Sequence, residues 1–413
     1  MRLWKYFFCL TIAIFIISPS HLLAQMHLLD QGGKISVGNL KIIPGITGQA
    51  IHDDNIYMKN GSDAGANRKE SDWIYHLKPG LILDYTIPER GSLRLGYEGD
   101  WAFYDKNNDN DWKNHRGNFA LDYKAPGGLL LDITNTYSRL EDPYGSPDQY
   151  AIGRISKRWE NDLKSKIGFL FSENFRAFLL YNFYKQDYRD DNFDYTQDYN
   201  DHEFGVGVES RFMPRTWGFL RYHYGKRDYF THRGSLTDQN DADSKWHRVN
   251  AGLTWDPAAK LQGELNVGYQ WKSYENQYTP TNIKREDIDT WIAATMIRYK
   301  PTTTTTLNFM IYRALRDTGA DTNEYFEDTG VGIELRQIIL TKFTFIVGAN
   351  YNKNDFNTNN REDDNYNVNV GVDYKIQDWL TVGIGYNYKE KDSNIDINDF
   401  KDNQFIGSIK LVY

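Results

Sequence analysis

Nine histidines and 56 acidic residues give this 413-residue chain ample material for acid–base or metal chemistry, so their spacing is weighed first. His21, His27, His52, His76, His115, His202, His223, His232 and His247 form no H-E-x-x-H or H-x-x-x-H pair, and no serine sits in a G-x-S-x-G turn. His223 shares alternate positions with Arg221 in LRYHYGK. His202, His232 and His247 fall beside polar stretches from which three imidazoles could converge as ligands. Asp105, Asn107, Asp109 and Asp111 in DKNNDND offer oxygens at alternate positions, the donor type that calcium takes. An EF-hand count fails on them, because position six is Asn110 rather than Gly and position twelve is Arg116 rather than Glu. A solvated acidic loop is the favoured reading, with loose divalent binding as the other. No catalytic residue, cofactor site or resident metal site follows from the sequence.

The elements that carry these residues are strands. In SLRLGYEGDWAFY, residues 92–104, Leu93, Leu95, Tyr97, Trp101 and Phe103 alternate with Arg94, Gly96, Glu98 and Asp100. Successive side chains of a strand point to opposite sides, so one face is apolar and the other polar. FGVGVESRF, LQGELNVGYQWK, YNVNVGVDY and LTVGIGYNY repeat the pattern, and helical periodicity is absent. Short connections rich in turn formers, such as TIPERG, KAPGG, MPR and KPTTT, recur about every 37 to 47 residues. Long acidic ones lie between them: DKNNDNDWKN, RDDNFDYTQDYND, HRGSLTDQNDADS and NKNDFNTNNREDDN. The unit is a hairpin with one tight and one loose end. Counting gives about 18 strands (16–18) from Leu40 to Tyr413. A propeller has a similar repeat length, but its blades hold four short strands and bury both sheet faces. Two long, one-sided strands per repeat argue against it.

At the N-terminus, Arg2 and Lys5 precede YFFCLTIAIFII and then SPSHLLAQ, the three regions of an export signal, with cleavage expected after Ala24. The apolar run is short for a membrane anchor, the competing reading. Residues 1–24 are read as the signal, 25–39 as a short periplasmic segment and 40–413 as one barrel domain. Cys9 is the only cysteine and lies in the signal, so disulfides, cysteine–zinc sites and cysteine nucleophiles are excluded from the mature chain. The formal charge of −8 becomes −10 without Arg2 and Lys5, which argues against a nucleic-acid partner.

Exported strands with one apolar face fit a transmembrane antiparallel up-and-down β-barrel. Closure satisfies every backbone group, the apolar face meets lipid and the polar face meets the lumen. Tyr and Trp near strand ends fit interfacial girdles, with short turns in the periplasm and long loops outside. The expected location is the outer membrane of a Gram-negative cell, with membrane lipid and lipopolysaccharide as surroundings. Lipopolysaccharide phosphates would be the partner of any divalent ion held by DKNNDND. The last strand, FIGSIKLVY, puts Phe405, Ile409, Leu411 and Tyr413 on one face and resembles the C-terminal signal read by the outer-membrane insertion machinery.

IIPGITGQAIHDDNIYM, SDWIYHLKPGLILDY, GSLRLGYEGDWAFY and GGLLLDITNTYS together resemble the outer-membrane proteins called putative β-barrel porin 2, mainly over the first ~140 residues. The resemblance implies a transport protein without catalytic residues, with a link to exopolysaccharide export and a polysaccharide as a partner.

The residues expected to line the lumen are Arg94, Glu98, Asp100, Lys164, Lys166, Glu209, Arg211, Arg221, His223, Glu264, Lys272, Glu334 and Arg336. Both charge signs occur, which favours cross-strand ladder pairs over selection of a strongly anionic polymer. Gly96, Gly205, Gly207, Gly252, Gly332, Gly371, Gly383 and Gly385 fall on the same face and subtract side-chain volume from the wall. The preferred function is a channel for small hydrophilic solutes or glycans, with RDDNFDYTQDYND or HRGSLTDQNDADS long enough to fold inward and narrow it. The alternative is a non-conducting, surface-binding barrel of adhesin type.

Overall fold

The computed structural model describes residues 35–61, 68–142, 155–189, 198–230, 242–255, 260–278, 282, 284–320, 323–357 and 360–413. The expected signal, residues 25–34 of the N-terminal segment, His232 and the centres of two acidic loops (190–197 and 231–241) lie outside the described residues.

A three-residue strand, β1 (Ile35–Val37), pairs with β2 (Leu40–Asp53). There follow β3 (Asp72–Ile87), β4 (Gly91–Tyr104), β5 (Trp112–Lys124), β6 (Leu129–Asp142), β7 (Ser156–Ser172) and β8 (Phe175–Tyr188). Next come β9 (Tyr199–Met213), β10 (Thr216–Tyr229), β11 (Ser244–Trp255), β12 (Leu261–Tyr274), β13 (Ile288–Tyr299) and β14 (Thr305–Ala320). The chain ends with β15 (Asn323–Ile339), β16 (Phe343–Phe356), β17 (Glu362–Gln377), β18 (Leu380–Ser393) and β19 (Phe400–Val412). From β2 onward each strand pairs antiparallel with the next, and β19 pairs with β2, so eighteen strands close and β1 is an addition. The strand-by-strand count is the expected one; β1 was not anticipated.

Alternation of residue types sets which side faces out. Val206, Leu220, Val267, Val370 and Ile384 are exposed, whereas the intervening Glu203, Glu209, Arg221, Glu264 and Asn266 are buried. A soluble sheet would do the reverse. Side chains on the concave side of a closed sheet crowd one another, so the polar set faces the interior and the apolar set faces outward. The polar strand ends run further than the sequence suggests. NKNDFNTNNREDDN, expected as a loop, is largely strand: β16 continues to Phe356 and β17 resumes at Glu362. Asn and Asp there keep the two-residue alternation but offer no apolar contrast to reveal it.

The closure is uneven at one place. β13 and β14 stay in register only from Tyr299/Leu307 up to Ala293/Arg313, after which β13 pairs with β12 alone and β14 with β15 alone. Leu315 and Tyr325, on the face that points outward lower down this hairpin, pack against Tyr184, Tyr199, Tyr229, Tyr274 and Ile288 of the inner wall. Thr290 Oγ1 of β13 donates across the break to Glu327 Oε1 of β15 at 2.8 Å. The loop end of β14–β15 therefore leans inside the wall formed by β8–β13.

Candidate functional site

The barrel interior is the candidate site. All thirteen residues expected to line it occupy inner-face positions of β4, β7, β9, β10, β12 and β15. The densest network lies on β7–β12. Buried Glu209 accepts from Lys166 Nζ at 2.8 Å, Arg176 Nε at 2.8 Å and Arg221 Nη2 at 3.2 Å. Arg221 also reaches past β11 to donate to both oxygens of Glu264 at 3.0 Å, a bidentate pair. One tier nearer the loops, Glu203 accepts from Asn182 Nδ2 (2.9 Å), Trp246 Nε1 (3.0 Å) and Arg248, with His223 Nδ1 3.1 Å away. Arg211 joins differently: its guanidinium lies 4.7 Å from the centre of the Trp217 ring, and that of Arg176 lies 4.0 Å from it. Lys164 pairs with Asp162 at 3.0 Å, and the Lys272 ammonium sits 4.9 Å from the Tyr274 ring.

On the other side of the barrel, Arg94 meets Asp84 at 2.7 Å across a registered pair. Glu98 lies 3.7 Å from Arg116, and Asp100 is hydrogen-bonded to His76 at 2.7 Å with Lys78 3.3 Å away. Glu334 accepts from Asn308 Nδ2 at 3.0 Å, with Arg336 at the next inner position of β15. Direct rungs such as Arg94–Asp84 are one mode among several. Glu209 instead collects cations from three strands and Arg221 spans two. Arg176, Arg116 and His76 were missed in sequence because the partner of a charge depends on stagger between strands. Alternation alone would have placed them on the inner face.

Of the eight glycines expected on the inner face, Gly371 and Gly385 leave open space, with nothing nearer than 3.4 Å to an added Cβ, whereas Gly252 and other inner glycines do more. Instead of simply leaving space, several seat a neighbour's large side chain. An added Cβ would stand 2.0 Å from Trp246 at Gly225, 2.3 Å from Phe178 at Gly168, 2.5 Å from Tyr312 at Gly330 and 2.6 Å from Phe219 at Gly252. Aromatic side chains thus occupy the space that a side chain at these glycines would take.

Among the described residues the histidines do not converge; His232 lies outside them. His202 and His247 are on the outer face, bonded to Tyr181 Oη (3.0 Å) and Tyr222 Oη (2.7 Å), while His223 points inward. The acidic loop 105–111 is clasped rather than loose. The Asp72 carboxylate accepts from the backbone N–H groups of Lys106 and Asn107, and Asp111 Oδ1 accepts from Tyr104 N at 2.7 Å. Among the described residues, Asp53, Asp54 and Asp402 form the trio close enough to share a cation, within 4.8 Å. Amide and ammonium donors already contact these carboxylates: Gln404 Nε2 donates to Asp53, Asn403 donates to Asp54 through both its nitrogens, and Lys389 Nζ reaches Asp402 at 3.3 Å.

These contacts explain DDNIY. Buried Asn55 bonds the carbonyls of Lys59 (2.8 Å) and Lys401 (2.9 Å), which ties the first loop to the last strand at the closing seam. Ile56 is fully buried against Ile51, Ile74, Tyr104 and Trp112, so the segment plugs inward beside the β2–β5 wall.

The chain is similar to several solved structures. OpdK from Pseudomonas aeruginosa is 11% identical, with 90% of this chain and 99% of that chain covered and a TM-score of 0.44. A BenF-like porin from Pseudomonas fluorescens Pf-5 is 10% identical over 91% and 100% of the chains, TM-score 0.46. OccAB4 from Acinetobacter baumannii is 12% identical over 90% and 98%, TM-score 0.44. These likenesses concern the fold alone. A search of curated proteins found no match. The family model of putative beta-barrel porin 2 matches residues 31–412, far beyond the 140 or so residues that carried the resemblance, and with it the chain belongs to that family of outer-membrane β-barrels.

Proposed function

We propose that the protein is a channel that passes small hydrophilic solutes or glycans across the outer membrane. The observation that carries this reading is the pairing of an eighteen-strand closure with a polar inner wall on which many charges are paired and several aromatic rings sit against glycines. Barrels of sixteen to eighteen strands enclose more space than inward side chains fill, which leaves an aqueous bore. The buried clusters at the loop end and the inward-leaning β14–β15 hairpin narrow one end. Passage of a glycan made for export is the finer form of the proposal and rests on the family resemblance. The assay is swelling of liposomes carrying the purified barrel in isotonic sugars of graded size. Entry of mono- and disaccharides with a cut-off at larger oligomers supports the channel. Vesicles that exclude even the smallest sugar would favour the surface-binding barrel.

A further inference from the structure

We propose that one sector of the outer wall, over β5–β10, is a docking seat for a phosphorylated, multiply acylated glycolipid of the outer leaflet. The claim is independent of whether the bore conducts. It begins with charge. Lys113, Arg139, Lys157, Lys185 and Arg189 all fall at outward positions near the loop ends of β5–β8. The described outward carboxylates among them are Glu141 and Asp187, so five cations face two acids on a chain whose formal charge is −8.

Register draws them into rows. Lys113 N donates to Glu141 Oε2, Glu141 lies opposite Lys157, and Arg189 N donates to the Lys157 carbonyl. One row below, Arg139 is opposite Trp159, and the Arg139 and Arg189 guanidinium carbons lie 5.7 and 5.5 Å from the Trp159 ring. The ring fixes both guanidinium groups at the level of an interfacial tryptophan, which packs on Tyr137 at 5.3 Å. Exposure completes the description: the Arg139 and Lys157 side chains are 49% and 55% accessible, and their shared carboxylate, Glu141, is 11%.

The apolar half lies lower on the same wall. A groove of about 420 Å³ runs between Ile167, Leu179, Tyr181, Phe204, Val206 and Tyr222. Its depression comes from Ser165, a small residue among large outward ones, whose Oγ is turned back to the Tyr181 carbonyl at 3.0 Å and so presents no polar demand. Tyr181 lies four residues below Lys185, about 13 Å along the strand, and Ser165 eight below Lys157, about 26 Å. An amphiphile with several negative charges on its head and long saturated chains satisfies both halves at once, whereas a soluble phosphate meets only the upper one. Lipid phosphates beside clustered Lys and Arg gain Coulomb attraction that exposed pairs in water lack.

The experiment is native mass spectrometry and competitive binding with the full barrel in detergent, using purified bis-phosphorylated, hexa-acylated lipid A as the probe. We expect one retained lipid A per barrel. Binding should weaken at least tenfold in Arg139→Ala/Lys157→Ala/Arg189→Ala and in the groove-filling Ser165→Phe. The control Lys353→Ala/Lys401→Ala, which removes two outward cations from the far wall, should leave binding unchanged. Retention of heat-modifiable gel migration shows that each variant is folded; were the triple variant to misfold, Ser165→Phe and Arg139→Ala alone carry the test. Equal binding by all variants would overturn the proposal. So would equal competition by phosphatidylglycerol, which would mean general lipid contact, or by inorganic phosphate, which would mean an ion site only.

Discussion

Val370 stands halfway along β17 on the outer face, about half exposed, with Val347 of β16 and Tyr386 of β18 as its registered neighbours. Replacing it with Arg pushes a guanidinium into whatever that face touches. If it is the hydrocarbon midplane, the cost is about 2–4 kcal/mol. At about 1.4 kcal/mol per tenfold, the folding equilibrium falls roughly 30- to 700-fold. Val347→Arg should match it, because the two side chains oppose each other across the same stretch of sheet. Asn369 is one residue away and faces inward, over Gly348. Asn369→Arg places the same charge among polar neighbours in a wet interior and should cost within about 0.5–1 kcal/mol. The assay is a urea titration of each variant in lipid vesicles, with folded fraction read from heat-modifiable gel migration and tryptophan emission. A steep loss at 347 and 370 with near-silence at 369 is expected. Equal losses at 369 and 370 would refute the assignment of faces and the lipid-facing wall with it.

Glu209→Gln keeps the side-chain shape but removes the charge that Lys166, Arg176 and Arg221 share. The reversal potential in a potassium chloride gradient should shift toward anion preference. Gly225→Ala inserts a methyl 2.0 Å from the Trp246 indole, which must swing inward and give up its bond to Glu203; single-channel conductance should fall while the gel shift on heating persists. Asn55→Ala removes the amide that ties the first loop to the Lys401 carbonyl. Its cost of about 1–3 kcal/mol should appear as a lower unfolding temperature of the folded band, and an unchanged temperature would remove DDNIY from the closing seam.

Much of this architecture is legible in sequence because a barrel obeys a two-residue code. Val206, Val208 and Leu220 alternate with Glu209, Gly207 and Arg221, and that contrast alone marks strand and face. Where contrast fades, so does legibility. Residues 352–365 read as loop because Asn, Asp and Lys occupy both faces, although β16 and β17 run through most of them. β1 is three residues long, too short for any periodicity. The charged pairs needed the stagger of neighbouring strands: nothing local says that Lys166 and Arg176 meet on Glu209, 43 and 33 positions away. The departure of β14 from β13 is equally silent, since Leu315 and Tyr325 look like ordinary outward residues until the hairpin turns them onto the inner tyrosines. DDNIY was visible as a motif, but its work at the seam depends on Lys401, Asn403 and Gln404 at the far end of the chain.

The most direct test of the central claim is electrical. Purified barrel added to a planar lipid bilayer in symmetric potassium chloride should give discrete, ohmic conductance steps. Leu315→Ala/Tyr325→Ala, which frees the inward-leaning β14–β15 hairpin, should enlarge or destabilise them. Protein that inserts and shows its heat-modifiable fold, yet passes no current either intact or with the hairpin freed, would contradict a water-filled bore.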